Sequence, residues 1–215
     1  MDSPPAKRNP YQSRIRAEQA AATCALVLDA ATRLFIERGY AGTSIDAIAE
    51  AAGVGRSTVF AAAGGKPWLL KTACDRAIVG DDEQVPLLER PEARKLFAMT
   101  DPTEIVTAYA GILSDAVQRV SAIYEVVRSA AGVDAEIHEL WLEMSRQRLA
   151  GAESIANLLR RKGGLRKGLS AGRARDIIWI YNDPGLHHSL VGIRKWRQNN
   201  YREWLTEALK GQLVG

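Results

Sequence analysis

The sequence predicts an all-α fold, an N-terminal three-helix helix-turn-helix head joined to a larger helical body. Three observations carry that prediction. Residues 43–66, TSIDAIAEAAGVGRSTVFAAAGGK, read as two short helices about a tight turn: Ile45, Ile48, Ala49 and Ala52 share one face, Gly53 interrupts the pattern, and Val59 resumes it with Ala62 and Ala63. Ala, Leu, Ile, Arg and Glu dominate the rest of the chain, with no competing run of alternating β-branched residues. A length of 215 residues suits a small head on a larger body rather than two large domains.

In chain order, residues 1–19 read as a flexible basic arm carrying Lys7, Arg8, Arg14 and Arg16. Residues 20–80 form the helix-turn-helix domain with a linking helix. Its first helix, 20–38, carries Leu26, Ala30 and Leu34 on one stripe with Leu28, Ala31 and Phe35 beside it, and stops at Gly39, a natural residue just past a helix end. Thr43 and Ser44 both offer N-cap oxygens to the next helix, and whichever caps could leave the other hydroxyl free for a phosphate. The second helix of the unit must cross the first closely, which favours the small Ala49 and a residue tolerant of positive φ at Gly53. Arg56, Ser57 and Thr58 then lie near the N-terminus of a reading helix. Lys66-Pro67 opens a fourth helix, 68–79.

Residues 81–215 form the helical body. The stretch from Gly80 to Arg90, acidic and then interrupted by Pro86 and followed by Pro91, marks the boundary. Helices are expected at 92–98, 102–119, 122–132, 135–161, 171–191 and 200–213, with Pro184 kinking the fifth of these.

Composition bounds the function. A formal charge of +4 permits a nucleic-acid partner without demanding one. No apolar stretch approaches the roughly 18 residues that span a membrane. The start, MDSPPAKRNPYQSRIR, lacks the apolar core of a secretory signal, so a cytoplasmic protein is expected. Cys24 and Cys74 sit in apolar helical patterns and read as inert thiols. There is no GxSxG elbow, no phosphate-binding GxxxxGK[ST] loop and no zinc-ligand spacing, so neither an enzyme nor a cofactor is expected. The adjacent His187 and His188 point to different sides of a helix with no third ligand at a useful spacing, and read as solvated or interface residues rather than a metal site.

The run DAATRLFIERGYAGTSIDAIAEAAGVGRSTVF, followed by Lys66, Leu69 and Leu70, resembles the tetracycline-repressor-like (TetR) family of transcriptional regulators across 26–70 without a gap. The later stretch LRKGLSAGRARDIIWIYNDPGLHHSLVGIRKWRQNNYREWL, with Trp179, Asp183-Pro184, Trp196, Tyr201 and Trp204 as landmarks, looks like the C-terminal part of many actinobacterial-type members. The resemblance implies a ligand-responsive repressor, a homodimer whose heads enter successive major grooves of a palindromic double-stranded operator and which a small-molecule effector releases. Thr43, Ser44, Gly55, Arg56, Ser57, Thr58, Phe60, Ala61 and Lys66 are then expected at the DNA. Tyr109, Tyr124, His138, Trp141, Met144, Trp179 and Asn182 are expected to line an effector cavity, although aromatics and methionine at helical spacing also serve as plain core. Such a cavity suits a hydrophobic or aromatic small molecule. Ile177, Ile178 and Tyr181 of the penultimate helix, with Leu205 and Leu209 of the last, are expected to pair with their symmetry mates.

One departure from the family matters. Members carry a tyrosine and a histidine at the end of the reading helix, then a polar pair and a lysine; here the positions are Phe60, Ala61, Ala62, Ala63, Gly64, Gly65 and Lys66. Phosphate contact therefore moves to the arm, Thr43, Arg56, Ser57 and Thr58, or DNA binding is weak. The alternatives to a specific regulator are a weakly sequence-specific DNA-binding protein and a dimeric ligand sensor whose head docks to protein.

Overall fold

The computed structural model describes residues 10–80 and 90–215, and these are helical with no strand among them. The chain divides into two compact units, Met1–Ala73 and Cys74–Gly215. The division falls inside the linking helix, upstream of the boundary expected at 80–90.

In the head, α1 spans Pro10–Arg38, α2 Ile45–Ala52 and α3 Arg56–Ala63, and α4 begins at Lys66 and runs to Val79. Helix α1 starts ten residues before the expected position. Its added turns, PYQSRIRAEQ, hold good helix formers and an i,i+4 pair between Arg14 and Glu18 at 3.3 Å. Residues 10–19 are thus helix rather than flexible arm, while Lys7, Arg8 and the side chain of Arg16 lie outside the described residues. Residues 17–38 are also long and apolar enough to pass for a membrane span, contrary to the sequence expectation. Val27, Ala31, Leu34 and Phe35 explain that hydropathy: they are buried, and α1 packs on both α2 and α3.

Ser44 caps α2, its hydroxyl accepting from the Ala47 amide at 3.1 Å. Gly53 ends α2 in the left-handed region, φ 67, and its amide returns to Glu50 while Val54 returns to Ala49. Ile48 and Ala49 of α2 and Val59 and Ala63 of α3 close the head core. The helix-turn-helix is as the spacing predicted.

In the body, α5 spans Pro91–Ala98, α6 Pro102–Ala130, α7 Ala135–Arg161, α8 Ala171–Tyr181, α9 Pro184–His187 and α10 Gln198–Leu213. Helix α6 is one helix where two were expected. Ser121, near the expected break, is buried in mid-helix, and no proline interrupts the run. Its Ile105, Tyr109, Leu113 and Val117 pack with Ile155 and Leu159 of α7, Ile178 of α8, and Tyr201, Leu205 and Leu209 of α10. The start of α6 and the end of α7 meet closely: Gly164 backs directly onto the Pro102 ring, leaving no room for a Cβ.

The expected helix over 171–191 is not kinked but broken. Asn182 ends α8, and Asp183 caps α9 by accepting from the Gly185 amide at 2.7 Å, with Pro184 in the first turn. An Asp-Pro pair disfavours helical geometry at the aspartate and supplies a cap for the next helix, so a fresh start replaces the kink. From His188 to Ile193 the backbone widens into a π-helix, closed by the Arg194 amide on the Ser189 carbonyl at 3.0 Å.

Candidate nucleic-acid interface and the polar interior of the body

Helix α3 opens on Gly55, which caps without a side chain, so the first turn keeps an approach to its amides free of any capping side chain. Arg56, Ser57, Phe60 and Ala61 are exposed along α3 and Thr58 is half-buried, whereas Val59 and Ala63 face inward. The Ser57 and Thr58 hydroxyls both lie 3.8 Å from where a Cβ at position 55 would sit, an ordinary van der Waals distance. Ser44 is exposed, and its hydroxyl, accepting in the cap, keeps its own proton to donate.

Two of the expected DNA contacts are engaged elsewhere. Thr43 is buried, and its hydroxyl is committed to the carbonyls of Leu34 at 3.1 Å and Gly39 at 2.9 Å, where it ties the end of α1 to the entry of α2. Lys66 turns inward as well. Its ammonium donates to the Tyr40 carbonyl at 2.7 Å and sits 4.2 Å from the Tyr40 ring centroid, so it fastens the α4 start to the α1–α2 connection. With Lys66 held and FAAAGG bare of donors, the polar groups of this face concentrate at the N-terminal end of α3.

Arg56 is itself partnered. One of its terminal nitrogens donates to both oxygens of Asp46, at 2.9 and 2.7 Å, and its guanidinium carbon lies 5.6 Å from the Phe60 ring centroid.

The body holds a polar interior centred on Arg148 of α7, a residue that sequence reasoning missed. Its Nε donates to the Asn182 side-chain oxygen at 3.0 Å and its two terminal nitrogens to the Tyr124 hydroxyl at 3.1 Å and the Trp179 carbonyl at 2.9 Å. The Asp183 carboxylate completes the set at 3.1 Å. Asn182 returns a bond to the Arg148 carbonyl at 3.3 Å, and its side chain lies near the Tyr109 hydroxyl. Burial pushes the Tyr109 phenol up to about 12, against the opposing pull of Asn182 and Arg148. Tyr124 is raised by burial too, with Arg148 pulling the other way. Both phenols stay neutral throughout the physiological range.

Of the seven residues expected to line a cavity, Tyr109, Tyr124, Trp179 and Asn182 converge on Arg148, and Trp141 lies beside Tyr124. Met144 is buried on α7. His138 does not join them: it is exposed, its ring 6.1 Å from that of Trp141. Arg148, Tyr124, Trp179 and Asn182 are joined by hydrogen bonds. A surface groove of about 420 Å³ lies along the α7–α8 loop and α8, lined by Arg166, Lys167, Leu169, Arg173, Ile177 and Ile180 among others.

A second chain of bonds runs through His187, which is buried rather than solvated. The Ser121 hydroxyl lies 2.9 Å from its Nδ1, and the Gln198 side-chain oxygen 2.8 Å from its Nε2. The Gln198 amide donates to the Ser114 hydroxyl and carbonyl, so its oxygen must accept from Nε2–H, and Nδ1 must accept from Ser121. Burial lowers the His187 pKa, only partly offset by Gln198. Tyr201 packs edge-on against the His187 ring at 4.9 Å, and its buried hydroxyl has no hydrogen-bond partner among the described residues. No group of three or more metal-ligating side chains gathers among the described residues.

The predicted pairing surface needs correction. Ile178, Leu205 and Leu209 are wholly buried in the chain's own core, because α8 and α10 turn those positions towards α6 and α7. Ile177 and Tyr181 remain half-buried, and Ile180, at 58% exposure, is with Trp179 a large apolar side chain that α8 leaves outward.

The chain is an all-α protein with a helix-turn-helix head and a helical body. Residues 27–72 match the family model for bacterial regulatory proteins of the tetR family, the family that the sequence resembles. Several solved structures share the whole fold. NalD, the secondary repressor of the MexAB-OprM multidrug efflux pump in Pseudomonas aeruginosa, is 20% identical with a TM-score of 0.68, over 92% of this chain and 98% of that one. The transcriptional regulator FadR from Bacillus subtilis, in complex with stearoyl-CoA, is 18% identical with a TM-score of 0.66, over 86% and 96%. A protein of Saccharomonospora viridis in complex with choline is 17% identical with a TM-score of 0.69, over 91% and 99%. No curated protein matches the chain.

Proposed function

We propose that the protein is a cytoplasmic, ligand-responsive transcriptional repressor that binds a palindromic operator as a homodimer and is released by a small hydrophobic or aromatic effector. The observation that carries the reading is the exposed N-terminal face of α3, where Gly55, Arg56, Ser57 and Thr58, with Ser44 at the start of α2, gather donors on a helix whose opposite face is locked into the head core. Phe60 and Ala61 complete that face with apolar surface.

The effector is read from the body's own residues, since ligands as unlike as stearoyl-CoA and choline occupy proteins of this fold. Aromatic side chains surround Arg148, whose guanidinium lies 5.9 Å from the Tyr124 ring and 5.3 Å from the Trp179 ring, so an aromatic or apolar molecule with a hydrogen-bonding group fits the chemistry. Such a ligand must open the packed cluster to enter, and this is how its binding would act on the α8–α9 break.

The bare FAAAGG end of the head favours one competing reading, a DNA-binding protein with little sequence preference. Competition between the protein's own promoter and random duplex at fixed salt separates the two. A regulator prefers the promoter by about 10³-fold or more, and equal affinity for both would remove the reading. Release of the promoter by aromatic or apolar compounds then tests the sensor half.

A further inference from the structure

We propose that α3 reads a guanine through Arg56, held in a fixed pose by Asp46, and the methyl group of a thymine in a neighbouring pair through Phe60. This rests on the reading that the head binds an operator, and it names what that operator must contain.

Asp46 fixes the pose of Arg56. The two side chains are 65% and 60% exposed, so their ion pair adds little to stability. Its consequence is geometric. Both oxygens of Asp46 engage the same terminal nitrogen of Arg56, which leaves Nε and the other terminal nitrogen as a parallel pair of donors. One turn along α3, the Phe60 ring lies 5.6 Å from the guanidinium carbon and restrains the group from its own helix, as Asp46 does from α2. A long side chain with several free torsions is thereby ordered before any ligand arrives.

Two parallel donors fit guanine, which presents O6 and N7 as adjacent acceptors in the major groove; adenine places a donor beside its N7, and cytosine offers a donor. A backbone phosphate fits less well. An anion approaching this guanidinium meets the Asp46 carboxylate beside it, so the pair favours a neutral acceptor edge over a charged one. Phe60 is 43% exposed and carries no donor, and the group on a base edge that an apolar ring can read is the thymine methyl. Ala61, Ala62 and Gly64 follow without polar side chains, so discrimination concentrates on this one turn.

The test is selection of bound duplexes from a random-sequence pool by the full chain and by R56A, D46N and F60A. All three side chains are exposed on the head, so melting temperatures should stay at the wild-type value. The wild type should select a G·C pair with a thymine in a neighbouring pair in each half-site. R56A should lose the guanine preference by about 10-fold or more. F60A should lose the thymine preference and keep the guanine, and D46N should bind random duplex at least as tightly while discriminating less at the guanine. The proposal is overturned if R56A weakens binding to every sequence alike and lowers the salt slope by about one, the signature of a phosphate contact. It is overturned equally if D46N tightens operator binding with discrimination intact. A wild type that selects no sequence at all would instead remove the regulator reading beneath it.

Discussion

Arg148 shows how one side chain can hold a fold together at a point where the backbone changes course. It bonds the end of α8 through Trp179 and Asn182, the cap of α9 through Asp183, and α6 through Tyr124. Replacing it with alanine strands several largely buried polar groups at once, so R148A should lower the unfolding free energy by about 2–3 kcal/mol in urea titrations. An unchanged midpoint would show that water replaces the guanidinium at no cost. His187 makes a second residue-level prediction. Its folded pKa lies below the ordinary value, so the native state favours neutral imidazole. The stabilisation is full above the unfolded value of about 6.5 and is lost as pH falls from there towards the folded pKa, because the unfolded chain then binds more protons. Carboxylates also titrate on the way down, so the readout is a difference: the melting-temperature advantage of wild type over H187Q should shrink between pH 7.5 and pH 5. An advantage independent of pH would mean that His187 is not buried neutral. Arg148 was not legible in the sequence for a physical reason. It sits in a helical run with Glu143, Arg146 and Gln147, which reads as a solvated face, and its partners lie 24 to 35 positions away. His187 was misread for the same cause, since Ser121 is 66 residues distant and Gln198 lies beyond the π-helix.

At the scale of elements, what local chemistry decides was legible. Ser44, Gly53 and the Ile48, Ala49 and Val59 contacts follow from caps, positive φ and helical spacing within a few residues. The helix-turn-helix was therefore predictable in detail, while the fates of Thr43 and Lys66 were not. Both are polar residues at helix starts, and only the tertiary placement of Leu34, Gly39 and Tyr40 turns them inward. The body reads less well because its helices owe their limits to packing. Ser121 is tolerated inside α6 because His187 takes up its hydroxyl, and the break at Asp183-Pro184 survives because Arg148 spans it. Another such junction is the end of α4, whose Ala77 and Ile78 carbonyls accept from Arg119 of α6 at 3.2 and 3.0 Å. Those carbonyls have no partner further along α4, and Arg119 supplies the positive charge that a helix C-terminus favours.

For the whole molecule the open quantity is the assembly. Two reading helices can enter successive grooves of one palindrome only if their spacing is about 34–36 Å, which a single head cannot provide. The surface available for pairing is only a part of the one that the resemblance implied, since Ile178, Leu205 and Leu209 are spent on the internal core. What remains on α8 is a stripe through the half-buried Ile177 and Tyr181 to the exposed Ile180, bordered by the half-buried Trp204 of α10. A charge placed in the middle of that stripe would be desolvated in a pair and harmless in a single chain, because Ile180 already meets solvent. Light scattering at micromolar concentration should therefore give about twice the 23.5 kDa chain mass for the wild type and the single mass for I180E, with melting of the I180E chain no longer dependent on concentration. I180E should also bind a full palindrome no more tightly than an isolated half-site, since the second head no longer benefits from effective concentration. If I180E remains dimeric with full operator affinity, the pairing surface lies elsewhere on the body; if the wild type is monomeric at this concentration, the two-groove arrangement does not hold.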